Sequence, residues 1–148
     1  MPELKDILYK VPLTSSYADM RVDVKGICFD SRQVKPGYLF IAIKGTQSDG
    51  HEYITKAITL GAIAVVCEVL PKNISDKVAV VTVKSSGQAL GIIASNFYGN
   101  PSEKLKLTGV TGTNGKTTVA TLLFKLFFSL GVKSGLISTV ENRIIDQV

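Results

Sequence analysis

Tryptophan is absent from these 148 residues, histidine occurs once, cysteine twice, and no apolar run approaches the ~18 residues a membrane-spanning helix needs. Each shortage removes a class of protein. Cys28 and Cys67 each sit inside an apolar run, which suits small buried thiols in a reducing compartment rather than a disulfide or a metal centre. The single histidine, His51, reads as a helix-start residue rather than a catalyst. Met1-Pro2-Glu3-Leu4-Lys5-Asp6 is charged from its start, so the expectation is a cytoplasmic protein with no membrane segment. No internal repeat, coiled coil or low-complexity tract is found. No aromatic residues interleave with the lysines as a nucleic-acid surface would require.

What is present is an ordinary globular composition. Apolar residues make up 45% and charged residues 20%, so a packed core is expected and disorder is not. The net charge of +5 is uneven: residues 1–103 carry 11 Lys and Arg against 10 Asp and Glu, and residues 104–148 carry 6 against 2. An anionic small molecule held by the second stretch explains the excess more simply than nucleic acid does.

The second stretch holds the most informative segment, Gly109-Val110-Thr111-Gly112-Thr113-Asn114-Gly115-Lys116-Thr117-Thr118. Leu105, Leu107 and Val110 suit a short buried strand and Val119 to Leu130 suit a helix, so the glycines fall where a strand hands over to a helix N-terminus. A helix N-terminus offers unpaired amides and partial positive charge, which is what an anion requires. Gly112, Thr113, Asn114 and Gly115 would form a backbone cradle for ATP, with Lys116, Thr117 and Thr118 completing it. Lys116 would carry the catalytic positive charge against the β- and γ-phosphates, and the Thr117 hydroxyl would ligate Mg²⁺. Val110 breaks both the GxxxxGK[ST] pattern, at its first position, and the GxGxxG dinucleotide fingerprint. Lys-Thr directly after the last glycine favours the phosphate loop. The competing explanation is a plain strand-to-helix turn with a solvated lysine.

Upstream, strands are predicted over Val22–Phe29, Tyr38–Ile43, Ala62–Val66 and Val78–Val83. Helices are predicted over Leu4–Tyr9, from His51 to a stop at Gly61, and from a cap at Ser85 or Ser86 to Gly99. Thr14-Ser15-Ser16 reads as a polar loop, and Pro71-Lys72-Asn73 and Glu141-Asn142-Arg143 as turns. A last strand is expected over Ser134–Val140, closing one βαβ unit, and Asn100-Pro101-Ser102-Glu103 is the expected domain boundary. The class is α/β. The helix from Lys116 to Leu130 is apolar nearly all round, so it is expected to find cover, against the first lobe or by self-association, and the chain reads as a piece of a larger protein.

Thr111-Gly112-Thr113-Asn114-Gly115-Lys116-Thr117-Thr118, preceded by Gly99-Asn100-Pro101-Ser102, resembles the ATP-binding loop of the Mur ligases, which add amino acids to the peptide of the bacterial cell-wall precursor. In that family the position of Val110 is normally not glycine. Phe29-Asp30-Ser31-Arg32, Pro36-Gly37, Leu39-Phe40-Ile41-Ala42, Gly45 and Asp49-Gly50-His51 resemble the UDP-binding domain of the members that add the third amino acid. Members adding D-Ala-D-Ala share much of this pattern but usually carry serine where Thr113 stands, and folate-polyglutamate ligases share only a similar loop.

The resemblance implies a mixed-sheet UDP-sugar-binding N-terminal domain over residues 1–103, followed over 104–148 by the first βαβ unit of a P-loop ATP-binding domain. It also implies an ATP-dependent amide ligase acting in peptidoglycan synthesis. Such an enzyme joins meso-diaminopimelate or L-lysine to UDP-MurNAc-L-Ala-D-Glu through an acyl phosphate, with ATP and Mg²⁺. Phe29, Ser31, Thr46, Gln47 and Ser48 would meet the UDP end of that substrate, although Asp, Ser, Gly and Thr are ordinary turn residues in any case. Arg32 would reach a phosphate or pair with Asp30. The family's further metal ligands and amino-acid-selecting domain would lie beyond Val148, so the chain is expected not to catalyse alone. The rival expectation is a non-enzymatic nucleotide-binding module for regulation or docking.

Overall fold

The computed structural model describes all residues except Ala18, Thr46, Gln47, 72–76 and 145–148. The chain divides into two compact units, Met1–Lys104 and Leu105–Val148.

The first unit is built on a five-stranded mixed sheet of order β1-β5-β4-β3-β2, from β1 (Leu13–Tyr17), β2 (Gly26–Cys28), β3 (Tyr38–Ile41), β4 (Ala64–Cys67) and β5 (Ala79–Val83). Strands β2 to β5 run parallel, and β1 closes one edge antiparallel to β5. Parallel strands covered on both faces should be continuously apolar. Ala64–Cys67 and Ala79–Val83 are buried at every position.

Alternation then assigns each side chain to a layer. Leu39, Ile41, Val66 and Val81 pack with Leu4 and Ile7 of α1 (Leu4–Ile7) and with Ala89 and Ile93 of α3 (Ser86–Phe97). Phe40, Ala42, Val65 and Val80 pack on the other face with Ile54 and Ala57 of α2 (Ile54–Thr59). Helix α1 is tied to α3 by Asn96, whose amide donates to the carbonyls of Ile7 and Tyr9 at 2.9 and 2.7 Å.

Several boundaries differ from the sequence reading. The loop expected at Thr14-Ser15-Ser16 is strand β1: its side chains are polar because it is an edge strand, held by backbone pairing to β5 and by the Ser15 and Thr82 hydroxyls. Within the expected Val22–Phe29 strand only Gly26–Cys28 pairs with β3, since Asp23 bridges back to Glu3 instead. The helix expected from His51 begins as a 3₁₀ turn over Gly50–Tyr53 before α2. Of the turn expected at Pro71-Lys72-Asn73, Lys72 and Asn73 lie outside the described residues.

The second unit contains α4 (Lys116–Ser129) and a hairpin of β6 (Gly135–Ile137) and β7 (Asn142–Ile144). Asn142 and Arg143 therefore lie in a strand rather than a turn, and the reversal falls at Ser138–Glu141, where the Ser138 amide donates to the Glu141 carbonyl at 3.1 Å. Leu105 and Leu107 belong to no strand and are 68% and 91% exposed. A strand is defined by a pairing partner, which neither β6 nor β7 supplies, so the βαβ arrangement is not formed here.

Candidate functional site

In the first unit the loops leaving the C-terminal ends of β2 and β3 border an open cavity of about 600 Å³. That is where parallel sheets place ligands, and the volume lies within the range of small-molecule sites. Phe40, fully buried on β3, forms its back.

After β2, Phe29 stands 61% exposed at the cavity and Ser31 opens a 3₁₀ turn over Ser31–Gln33. The turn forms because the Asp30 carboxylate accepts from the Arg32 amide at 3.0 Å, an Asx-type cap. Asp30 also takes the Arg32 guanidinium, from Nε at 3.0 Å and from the terminal nitrogen at 2.8 Å. These bonds hold its carboxyl down at about 2, and Arg32, paired with Asp30, also lines the cavity. The Ser31 side chain, 8% exposed, makes no hydrogen bond among the described residues and is free to meet a ligand.

After β3, the loop closes on itself. Lys44 bridges to Asp49, Gly45 N–H donates to the Ser48 carbonyl at 3.0 Å, and Gly50 N–H donates to the Ile43 carbonyl at 2.8 Å. Gly50 is required by proximity, because a Cβ there would lie 2.7 Å from the backbone of Ile43. Ser48 lines the cavity; Thr46 and Gln47 lie outside the described residues. Three of the expected residues, Phe29, Ser31 and Ser48, thus share one cavity.

Tyr53 and Lys56 also line it, and the sequence reading did not single them out for ligand contact. Their signal was a spacing of three on the helical turn that follows Gly50-His51, which places both on one face. Lys56 forms no salt bridge among the described residues.

His51 has both ring nitrogens occupied. Nδ1 is 2.6 Å from the Asp49 carboxylate, and Nε2 accepts from the Glu68 amide at 2.8 Å. Because Glu68 N–H can only donate, Nε2 carries no proton and Nδ1 does. The ring bridges the two, with no nitrogen left for catalysis. The two thiols are equally inert: burial raises both, Cys67 to about 11.

In the second unit Gly112 and Gly115 have φ of 149° and 77°, and Gly115 stands at the N-cap of α4. The left-handed φ of 77° at a helix start favours glycine. Gly115 has no side chain to cap the helix, so the first amides of α4 stay open to an incoming anion. Lys116 Nζ donates to the carbonyls of Gly112 at 2.6 Å and Thr113 at 3.0 Å. Loop and lysine are therefore braced together, and Thr117 follows with a half-buried side chain.

The architecture is of the mixed α/β class, with a cavity at parallel strand ends in one unit and a glycine loop opening a helix in the other. Its sequence matches the model described as Mur ligase family, catalytic domain, over residues 23–98, and the chain belongs to that family. It is 57% identical over 147 residues to a Cytophaga hutchinsonii protein named UDP-N-acetylmuramoyl-L-alanyl-D-glutamate--2,6-diaminopimelate ligase, covering 99% of this chain and 30% of that protein. The chain therefore spans about 30% of the length of that curated relative. A solved structure of a ligase of the same name superposes on 99% of this chain and 29% of its own length, with a TM-score of 0.69 at 23% identity, a likeness of fold. A MurF ligase from Thermotoga maritima in complex with ADP covers 72% of this chain and 24% of its own, at 34% identity and a TM-score of 0.52.

Proposed function

We infer that this chain supplies the UDP-sugar site and the ATP loop of a cytoplasmic, ATP-dependent amide ligase. The ligase joins 2,6-diaminopimelate to UDP-MurNAc-L-Ala-D-Glu in peptidoglycan synthesis. The observation that carries this reading is 57% identity, over 99% of the chain, to a protein named for that reaction. The functional division runs with the two units: residues 1–103 take the UDP-sugar and residues 104–148 take ATP.

In the first unit Ser31 and Ser48 offer hydroxyls to the uridine, with Phe29 and Tyr53 as apolar walls for the base. Thr46 and Gln47 join them from the same loop. Lys56, which lines the cavity and forms no salt bridge among the described residues, is a cation for the diphosphate, beside Arg32. In the second unit the amides of Gly112 to Thr118 hold the β- and γ-phosphates. Lys116 exchanges the two loop carbonyls for phosphate oxygens and stabilises the charge that develops as the γ-phosphoryl group moves to the substrate carboxylate. ADP is left behind, and the acyl phosphate so formed is attacked by the incoming amine, which makes the amide as the acyl C–O bond breaks and inorganic phosphate leaves.

Magnesium fits the donor present: Thr117 offers a hard oxygen one residue after Lys116, with no hydrogen bond among the described residues. Thr117 would hold the ion together with phosphate oxygens, and the ion would supply charge neutralisation during transfer.

The test is calorimetric titration of the chain with UDP, with UDP-MurNAc-L-Ala-D-Glu and with ATP, alongside Ser31→Ala. Both uridine ligands should bind, and loss of one hydroxyl contact should weaken them about tenfold. Failure of a folded chain to bind either uridine ligand sinks the reading.

A further inference from the structure

The loop that follows β3 is rooted in the sheet, where Ala42 N–H donates to the Val66 carbonyl at 2.8 Å, and Gly50 N–H returns to Ile43 at that root at 2.8 Å. A further attachment, from the far side of the loop to the end of β4, runs through His51. Its ring takes Asp49 on one side and the backbone amide of Glu68 on the other, across 17 residues of sequence. Glu68 is the first residue past β4.

Its carboxylate then accepts from both the amide and the hydroxyl of Ser86 at 2.9 Å, and Ser86 is fully buried at the start of α3. Asp49, His51, Glu68 and Ser86 thus form one hydrogen-bonded chain. It joins the cavity loop to the end of β4 and to the helix beyond β5.

The geometry points to His51 as a positioning residue for the uridine site: it ties Asp49, next to the cavity-lining Ser48 and Gly50, to the end of β4 without hydrogen-bonding the ligand. This rests on the uridine reading of the cavity proposed above. Both ring nitrogens are taken by protein partners and the side chain is only 17% exposed, so no ring nitrogen is left to hydrogen-bond a ligand. Ser48 and the Gly45 and Gly50 backbones, by contrast, do line the cavity. If the loop swings away from β4, the Ser48 wall goes with it.

The two halves of the bridge are separable by substitution. Glutamine at 51 places a carbonyl oxygen near the position of Nε2, keeping the bond to Glu68 N–H and losing that to Asp49. Asparagine keeps a donor for Asp49 and does not reach Glu68. Of the two halves, the Glu68 half ties the far side of the loop to the end of β4.

The experiment measures UDP affinity of the 148-residue chain and of His51→Ala, His51→Gln and His51→Asn, well below each unfolding midpoint, with amide exchange at Gly45 and Gly50 on the same samples. His51→Ala and His51→Asn should bind UDP about tenfold more weakly, the loss expected for one hydrogen-bonded tether, with faster exchange at both glycines. His51→Gln should recover most of the affinity and protection. A general loss of structure would not distinguish glutamine from asparagine. Should His51→Ala not fold, the glutamine and asparagine pair still decides the matter. Unchanged UDP affinity in the folded variants, or recovery by asparagine rather than glutamine, overturns the assignment while leaving the uridine site intact. Absence of UDP binding by the folded unsubstituted chain overturns both.

Discussion

The ammonium of Lys116 rests on two carbonyls of its own loop, and that contact decides how a substitution there behaves. The bonds are exposed and local, so Lys116→Ala should leave the unfolding midpoint close to that of the parent. On the ligase reading, ATP loses a charge-assisted partner, and its affinity should fall by more than about tenfold in calorimetry while UDP affinity is unchanged. Equal loss of both ligands would count against separate sites. Asp30 tests a different property. Its carboxyl lies at about 2 against an ordinary value of 3.8, so the folded state binds that proton more weakly than the unfolded chain. Its contribution is therefore complete above pH 3.8 and is lost as pH falls towards 2. Asp49 and Glu68 are shifted the same way, the first mainly by the His51 amide and the second mainly by the Ser86 amide. Thermal unfolding followed across pH 2 to 5 should show the midpoint dropping below about pH 4, and Asp30→Asn should flatten that drop.

Among the elements, β3 carries the largest share of positioning. Leu39 and Ile41 face α1 and α3, Phe40 faces α2, and all three are completely buried. Phe40 also backs the cavity. Phe40→Ala should cost about 3–5 kcal/mol in denaturant unfolding and weaken UDP as well. Ile93→Ala, on the opposite layer, should cost about 2–5 kcal/mol with UDP affinity at low temperature unaffected. A matched loss of UDP affinity in both variants would mean that the cavity does not depend on the Phe40 wall.

For the whole molecule, the exposed apolar surface of α4 is the dominant feature. Leu122, Leu126, Phe128 and Leu130 are at least half exposed, whereas Phe124 is buried. On the ligase reading this face meets further protein, and in the isolated chain we propose that it drives self-association. Light scattering should show a mass that rises with concentration, and the double substitution Leu122→Lys with Leu126→Lys should return it to the monomer. A monomeric parent at high concentration would remove this expectation.

Periodicity and punctuation alone determined the α/β class, the positions of strands β2 to β5 and the glycine loop at a helix start. These follow from apolar runs whose burial is decided by side-chain chemistry wherever they pair. Phe29, Ser31 and Ser48 were singled out by the family resemblance, since by composition alone they read equally well as ordinary turn residues. Tertiary structure alone decided what depends on a partner distant in sequence. Strand β1 is polar and exists because β5 offers it a backbone edge; Leu105, Leu107 and Val110 belong to no strand, since no described segment pairs with them. The reach of Tyr53 and Lys56 into the cavity, and the bridge from His51 to Glu68, likewise depend on the sheet bringing separate segments together. Local pattern encodes which residues can be buried or can turn, and the hydrogen-bond partners that turn them into a site are chosen only when the strands align.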